Sequence, residues 1–275
     1  ISYTNDLNTF IDFLKNYDQN LISQFNKIDR QTIRHYLGKE YESGKSSKTV
    51  ARRLASIKSF FNFMVKTDLI GIAPTLNVKT PKVKQYIPSF IQTNKIERLM
   101  NLPDNTLKGV RDRAILELFY ATGIRLSELV KLNIGSFDPK ENTVRVLGKG
   151  GKERIIPFGN HSKSSIEIYL KKTGYAWSSD PKTPLFRGNK GKRISVRNVQ
   201  YRVNKYLKQI LGGEKSASPH TLRHTFGTHL LDNDADIRSI QELLGHRNIS
   251  STQIYTKVNP KKIKEIYENT HPHGR

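Results

Sequence analysis

Six side chains, Arg125, Lys149, His220, Arg223, His246 and Tyr255, occur in an order that could transfer a phosphoryl group without a metal ion. They lie in Ala121-Thr122-Gly123-Ile124-Arg125-Leu126-Ser127-Glu128-Leu129, Gly148-Lys149-Gly150, Pro219-His220-Thr221-Leu222-Arg223-His224, Leu243-Leu244-Gly245-His246 and Ile254-Tyr255. Cleaving a phosphodiester loads negative charge onto the non-bridging oxygens, and two guanidiniums can each offer them paired donors. Arg125 and Arg223 are candidates for that clamp. The leaving 5′ oxygen needs a proton, which a lysine at a hairpin tip can deliver, and Lys149 holds such a position. A tyrosine with a reference pKa of ~10 is about a thousandth ionised at neutral pH, so Tyr255 needs nearby cations or a base to act as a nucleophile. His220 and His246 can donate to phosphate oxygens or handle that proton.

Taken singly, each residue has a plainer reading. Arg125 with Glu128 suits a surface ion pair, Gly148-Lys149-Gly150 a simple turn, and His220 the start of a helix. His246 after Gly245 suits a helix end, and Tyr255 is one of twelve tyrosines. Two rival motifs fail. Gly44-Lys45-Ser46 follows Gly38 by five intervening residues where a P-loop needs four, and no strand precedes it. His220 and His224 have the spacing of a helical zinc pair, but Thr221 stands where the metalloprotease motif needs Glu. No metal site and no cofactor are expected.

These residues must be carried by helices and one hairpin. Residues 1 to about 66 read as helical: Leu7, Phe10, Ile11 and Leu14 mark a helix over Thr4 to Tyr17. From Ser47, Val50, Leu54, Ile57, Phe61 and Met64 form a single apolar stripe. Lys48, Arg52, Arg53 and Lys58 fall mostly off it, facing either phosphates or solvent. Pro74, Pro81 and Pro88, with Lys79, Lys82 and Lys84 among them, suggest an extended basic linker over 70–87. Beyond it, Asn94 to Asn101, Gly109 to Tyr120 and Arg125 to Leu132 read as helices. Two β-prone runs, Thr143 to Leu147 and Glu153 to Pro157, flank a glycine-rich centre and predict a hairpin. Helices resume near 163–172, 195–211, 219–231, 235–244 and in the tail. The expected fold is mainly α with a small antiparallel sheet.

Lys plus Arg number 47 against 24 acidic residues in 275, a net charge of +23. Such an excess is usually neutralised by a polyanion, and nucleic acid is the first candidate. A merely basic surface is the alternative. No apolar run approaches the ~18 residues of a spanning helix, so no membrane partner is expected. The absence of cysteine excludes disulfides and thiolate metal sites and suggests a cytoplasmic protein. The opening at Ile1 suggests a trimmed chain.

Together the five motifs resemble the tyrosine recombinases, and among them the bacterial Xer branch. The intervals agree: 24 residues from Arg125 to Lys149, 26 from His220 to His246 and nine to Tyr255. The tail, with Ile263-Lys264-Glu265-Ile266-Tyr267 and Thr270-His271-Pro272, is similar to Xer carboxy-termini. The resemblance implies a two-domain, C-shaped clamp on duplex DNA: a helical core-binding (SAM-like) domain over 1–69, the linker, and a catalytic domain over 88–275. It implies that Arg125, Lys149, His220, Arg223, His246 and the nucleophile Tyr255 are catalytic, with Glu128 and His224 in support. A 3′-phosphotyrosyl intermediate would form with neither metal nor ATP. Partners implied are a double-stranded recombination site, a homotetramer or a heterotetramer with a paralogue, and a cell-division DNA translocase, with the protein on the nucleoid. Lys48, Arg52, Arg53, Lys152, Arg197 and Arg202 are candidates for DNA contacts, the last two on a helix that enters the major groove in relatives. Ile263, Ile266 and Tyr267 form a stripe that would dock on a neighbouring protomer or on its own domain. Chromosome-dimer resolution is the expected role. A phage, transposon or integron-type integrase, a type IB topoisomerase and a non-catalytic DNA-binding protein are the alternatives.

Overall fold

The computed structural model describes residues 2–83, 90–148, 151–188, 191–212, 217–245 and 260–274. Lys149, His246 and Tyr255 lie outside the described residues. The chain divides into two compact units, Ile1–Tyr86 and Ile87–Arg275.

The first unit is built from α1 (Ser2–Tyr17), α2 (Arg30–Glu42) and α3 (Ser47–Lys66). The Asp29 side chain accepts from Thr32 N at 2.7 Å and Ser46 from Thr49 N at 3.3 Å, so α2 and α3 start where a side chain satisfies a free amide. The stripe expected on α3 is the buried one, and it meets Phe10 and Leu14 of α1 and Ile33 and Tyr36 of α2. The stretch read as the start of a spacer behaves differently. Ile70, Ala73 and Val78 are buried in this core, and Lys58 Nζ donates to Val78 O at 2.7 Å. Proline spacing marked the loss of helix there but not the apolar side chains that still return to the core.

The second unit surrounds α5 (Leu107–Thr122), whose residues from Gly109 to Thr122 are buried except Arg113. Such a helix is covered on nearly every side, and its buried Arg111, Asp112 and Glu117 are each paired. Around it lie α4 (Ile96–Asn101), α6 (Leu126–Lys131), α7 (Gly159–Lys172), α8 (Val196–Leu211), α9 (Pro219–Asp232), α10 (Ile237–Leu244) and α11 (Pro260–Thr270). The hairpin forms with the expected bounds, β2 (Thr143–Leu147) paired antiparallel to β3 (Glu153–Pro157), and Gly148 N donates to Lys152 O at 2.8 Å across its base. A short strand not read from the sequence, β1 (Phe137–Asp138), adds to β2 and completes a three-stranded sheet in the order β1-β2-β3. The fold is thus mainly helical with a small antiparallel sheet.

The tail packs on its own unit. Ile263 and Tyr267 of α11 join the core, and the buried His271 ring bonds Tyr120 O at 3.1 Å through Nε2. Burial lowers the His271 pKa to about 3, so this contact is made by a neutral ring. No helix among the described residues is long and apolar enough to cross a membrane.

Candidate active site

Helix termini of the second unit converge on one cluster of arginines. α5 ends at Gly123, in the left-handed region (φ 56°), where a Cβ would lie 2.5 Å from the Phe226 ring. This turn sends the chain into Arg125, which caps α6. Glu128, in the first turn, accepts from Arg125 N at 2.8 Å, a carboxylate cap favoured by the positive end of the helix. α9 begins at Ser218-Pro219, a cap followed by a proline that needs no amide partner. Its stripe of Leu222, Phe226 and Leu230 is buried, which turns Arg223 inward. α10 is capped by Asp236, which accepts from Arg238 N and Ser239 N at 3.0 Å each, and ends at Gly245 (φ 65°).

Three consecutive carbonyls at that end of α10 each take one arginine. Leu243 O accepts from Arg154 Nε at 3.1 Å, Leu244 O from an Arg223 terminal nitrogen at 2.6 Å, and Gly245 O from an Arg125 terminal nitrogen at 3.0 Å. The last carbonyls of a helix have no partner within it and carry partial negative charge, so cations are favoured there. The other Arg223 terminal nitrogen reaches Gly123 O at 2.6 Å, joining the end of α5 to the end of α10. Gly245 is fitted to this arrangement, since a Cβ there would lie 3.2 Å from the Arg154 guanidinium.

Glu128, only 5% exposed, lies among them. It accepts from Arg125 Nη1 at 2.9 Å and from both terminal nitrogens of Arg154, at 3.1 and 2.8 Å. Burial pushes its carboxyl up, but hydrogen bonds from Arg154 and from the Arg125 backbone outweigh that and hold it below its ordinary value. Arg223 is brought down to about 10, first by burial and then by repulsion from Arg125, against the attraction of Glu128. Three guanidiniums against one carboxylate leave an excess of two positive charges, suited to an oxyanion. Arg125 uses two of its five N–H donors on Glu128 and Gly245, and its side chain is 35% exposed, so donors remain for a ligand.

Of the six residues expected to react, the structure brings Arg125 and Arg223 together, with Glu128 between Arg125 and Arg154. His220 and His224 are exposed on α9. Lys149 follows directly from Gly148, a residue packed near Arg154 and Glu128, and His246 follows directly from Gly245. Arg154 was missed by the sequence reading. Its signal was the strand alternation: Arg154 pairs with the buried Val146 and shares a face with Ile156, so it must point inward and find a carboxylate.

The candidates for DNA contact divide. Lys48, Lys152 and Arg197 are exposed. Arg52 instead bonds the buried Asp6, which also accepts from Ser56 Oγ at 2.9 Å, and Arg53 bonds the buried Glu40. Arg202 bonds the buried Asp112, which also accepts from Tyr206 OH at 3.1 Å. These three arginines each hold a buried acid, a role that the sequence reading did not give them. Among the described residues no three of His, Asp and Glu gather where a metal ion could be held.

With this geometry in hand, the chain matches the phage integrase family over residues 89–262 and the phage integrase N-terminal SAM-like domain over residues 1–68. It is 42% identical over 277 residues to tyrosine recombinase XerC of Thermodesulfovibrio yellowstonii, covering 98% of this chain and 89% of that protein. It is 37% identical over 273 residues to tyrosine recombinase XerD of Oceanobacillus iheyensis, covering 98% and 91%. In fold it is similar to a solved XerH site-specific recombinase bound to palindromic difH substrate in a post-cleavage complex. That likeness has a TM-score of 0.66 at 20% identity and covers 90% of this chain and 70% of that one.

Two measurements check the ion pairs. The depressed Glu128 carboxyl stabilises the fold fully above its unfolded pKa of ~4.3, and this contribution fades as pH falls through the lower folded value. Urea titrations of wild type and Glu128→Gln should therefore differ by about 3–5 kcal/mol at pH 7, and the gap should narrow as pH falls through the folded value. A gap independent of pH would assign the effect to packing alone. Arg202→Met should lower stability by about 1–3 kcal/mol, because Asp112 loses a partner while buried. Unchanged stability with weakened DNA binding would assign Arg202 to phosphate contact instead.

Proposed function

The chain belongs to the tyrosine recombinases, DNA breaking and rejoining enzymes of the phage integrase family, and from that premise we propose that it resolves chromosome dimers through a 3′-phosphotyrosyl intermediate. The Tyr255 oxygen attacks the scissile phosphorus and the bond to the 5′ oxygen breaks. Lys149 supplies the proton that the 5′ oxygen takes up, and the tyrosine proton passes to a histidine or to water. Arg125 and Arg223 neutralise the non-bridging oxygens, and His220 and His246 donate to the same phosphate. Glu128 and His224 orient this set. The phosphotyrosyl bond conserves the energy of the linkage it replaces, so the 5′ hydroxyl of another strand can reverse the step with neither ATP nor metal.

The observation that supports this reading is the capture of Arg125, Arg154 and Arg223 by the carbonyls of residues 243–245. The residue after them is His246, and Tyr255 follows nine residues later. A preorganised cationic socket directly before a histidine and a tyrosine suits a transition state that gains negative charge. Strand exchange needs two recombination sites and four protomers, either identical or paired with a paralogue. XerC and XerD names both occur among the relatives, which favours the Xer role in the nucleoid over integration of a mobile element. Activation by a cell-division DNA translocase belongs to the same reading.

Tyr255→Phe removes only the nucleophilic oxygen. Duplex binding should stay within about threefold of wild type while denaturing gels show no covalent adduct; an adduct formed by this variant would contradict the assignment. Lys149→Ala should slow cleavage about 10²–10⁴-fold at an ordinary 5′ oxygen and far less at a 5′-thio leaving group, which needs no proton. Equal slowing on both substrates would remove Lys149 as the acid.

A further inference from the structure

At the far end of α5 from Gly123 lies a second concentration of positive charge. A cavity of about 550 Å³ is lined by Lys108 and Arg111 of α5, by Tyr169 and Lys172 of α7, and by Tyr175 and Arg187 beyond it. No acidic residue lines it among the described residues. Arg187 is only 8% exposed, yet no described carboxylate pairs with it. Its guanidinium instead donates to Thr173 Oγ1 at 2.9 Å and lies 3.5 Å from the centre of the Tyr175 ring. Its backbone amide is fixed by Tyr169 OH at 3.1 Å. Arg111, 6% exposed, donates to Arg187 O at 3.1 Å and pairs with Asp112 at 3.0 Å. Asp112 is shared between Arg111 and Arg202, and Arg187 pairs with neither it nor another described carboxylate.

A buried charge without a counter-ion is strongly unfavourable, and an aromatic face returns only about 0.5–2 kcal/mol of that. The cost is rational where an anion completes the site. Guanidiniums match the geometry of phosphate oxygens, and Lys108 and Lys172 add point charges at the mouth. We propose that this cavity is a phosphate-binding site distinct from the Glu128 cluster. Arg111 and Thr122 are separated by roughly 16 Å along α5 at ~1.5 Å per residue, so one phosphate cannot serve both. Its ligand is a phosphate group held by Arg187 and Arg111, supplied either by the backbone of bound duplex beyond the scissile position or by a free phosphate ester. The site stands on this charge arrangement and does not rest on the recombinase reading.

The probe is pyrophosphate, titrated into the full chain without DNA and compared with sodium chloride at matched ionic strength. The expected result is a rise in Tm with pyrophosphate that Arg187→Met loses. Replacing an unpaired buried charge by an apolar side chain of similar length should preserve folding. Should that variant not fold, the double variant Lys108→Ala/Lys172→Ala, changed only at the mouth, should weaken pyrophosphate at least tenfold by calorimetry. The source is read from the salt dependence of duplex binding. If the backbone supplies the phosphate, the slope of log K against log salt falls by about 0.9 in the variant. An unchanged slope with the pyrophosphate effect intact assigns the site to a free ester. Equal thermal shifts and calorimetric affinities in wild type and variants, with an unchanged slope, overturn the proposal.

Discussion

The end of α10 is the constraint on which the candidate site depends. A helix must leave its last carbonyls unpaired, and here three in succession are taken by arginines from three separate elements. Arg154 comes from the hairpin, Arg125 from the cap of α6 and Arg223 from α9. Guanidiniums this close repel one another, and Glu128 offsets that repulsion by bonding two of them. The hairpin that carries Lys149, the turn that carries Arg125 and the helix that leads to His246 are therefore tied to one point. Each arginine bridges two acceptors, so the cluster is stabilised as a unit.

The same rule divides the large basic excess of the chain. Asp6, Glu40, Asp112 and Glu128 are buried, and each gathers one or more arginines. Those arginines hold buried acids in place, and the four carboxylates cancel part of their charge. The exposed cations Lys48, Lys152 and Arg197 contribute to that field, which draws a polyanion to the surface. Arg187 fits neither group, being buried like the first and lacking a carboxylate like the second.

Helix positions were legible because apolar spacing decides which face is covered. Val50, Leu54, Ile57 and Phe61 could serve no other purpose at that spacing. The hairpin was legible from β-prone runs around glycines, whereas β1, with two residues, is too short to carry a period. Charged residues were less legible. Arg52 looks the same on a helix face whether its partner is a phosphate or Asp6, 46 positions earlier, and Arg202 finds Asp112 across 90 positions. Arg154 differs in principle, since its register on β3 placed it inward before any partner was known. The order of Arg125, Lys149, His220, Arg223, His246 and Tyr255 carried the family, but order alone does not show that carbonyls and one acid hold the arginines.

We propose that Glu128 organises the cationic cluster for chemistry as well as for stability. It is tested most directly by the single-turnover rate of covalent adduct formation on a duplex carrying the recombination site, comparing wild type with Glu128→Gln under conditions where both are folded. The expected result is a fall of roughly 10²-fold or more, as for loss of a preorganised charge-stabilising group, with duplex affinity changed by less than about threefold. An unchanged rate with intact binding would contradict it, because the arginines would then hold their positions without the carboxylate.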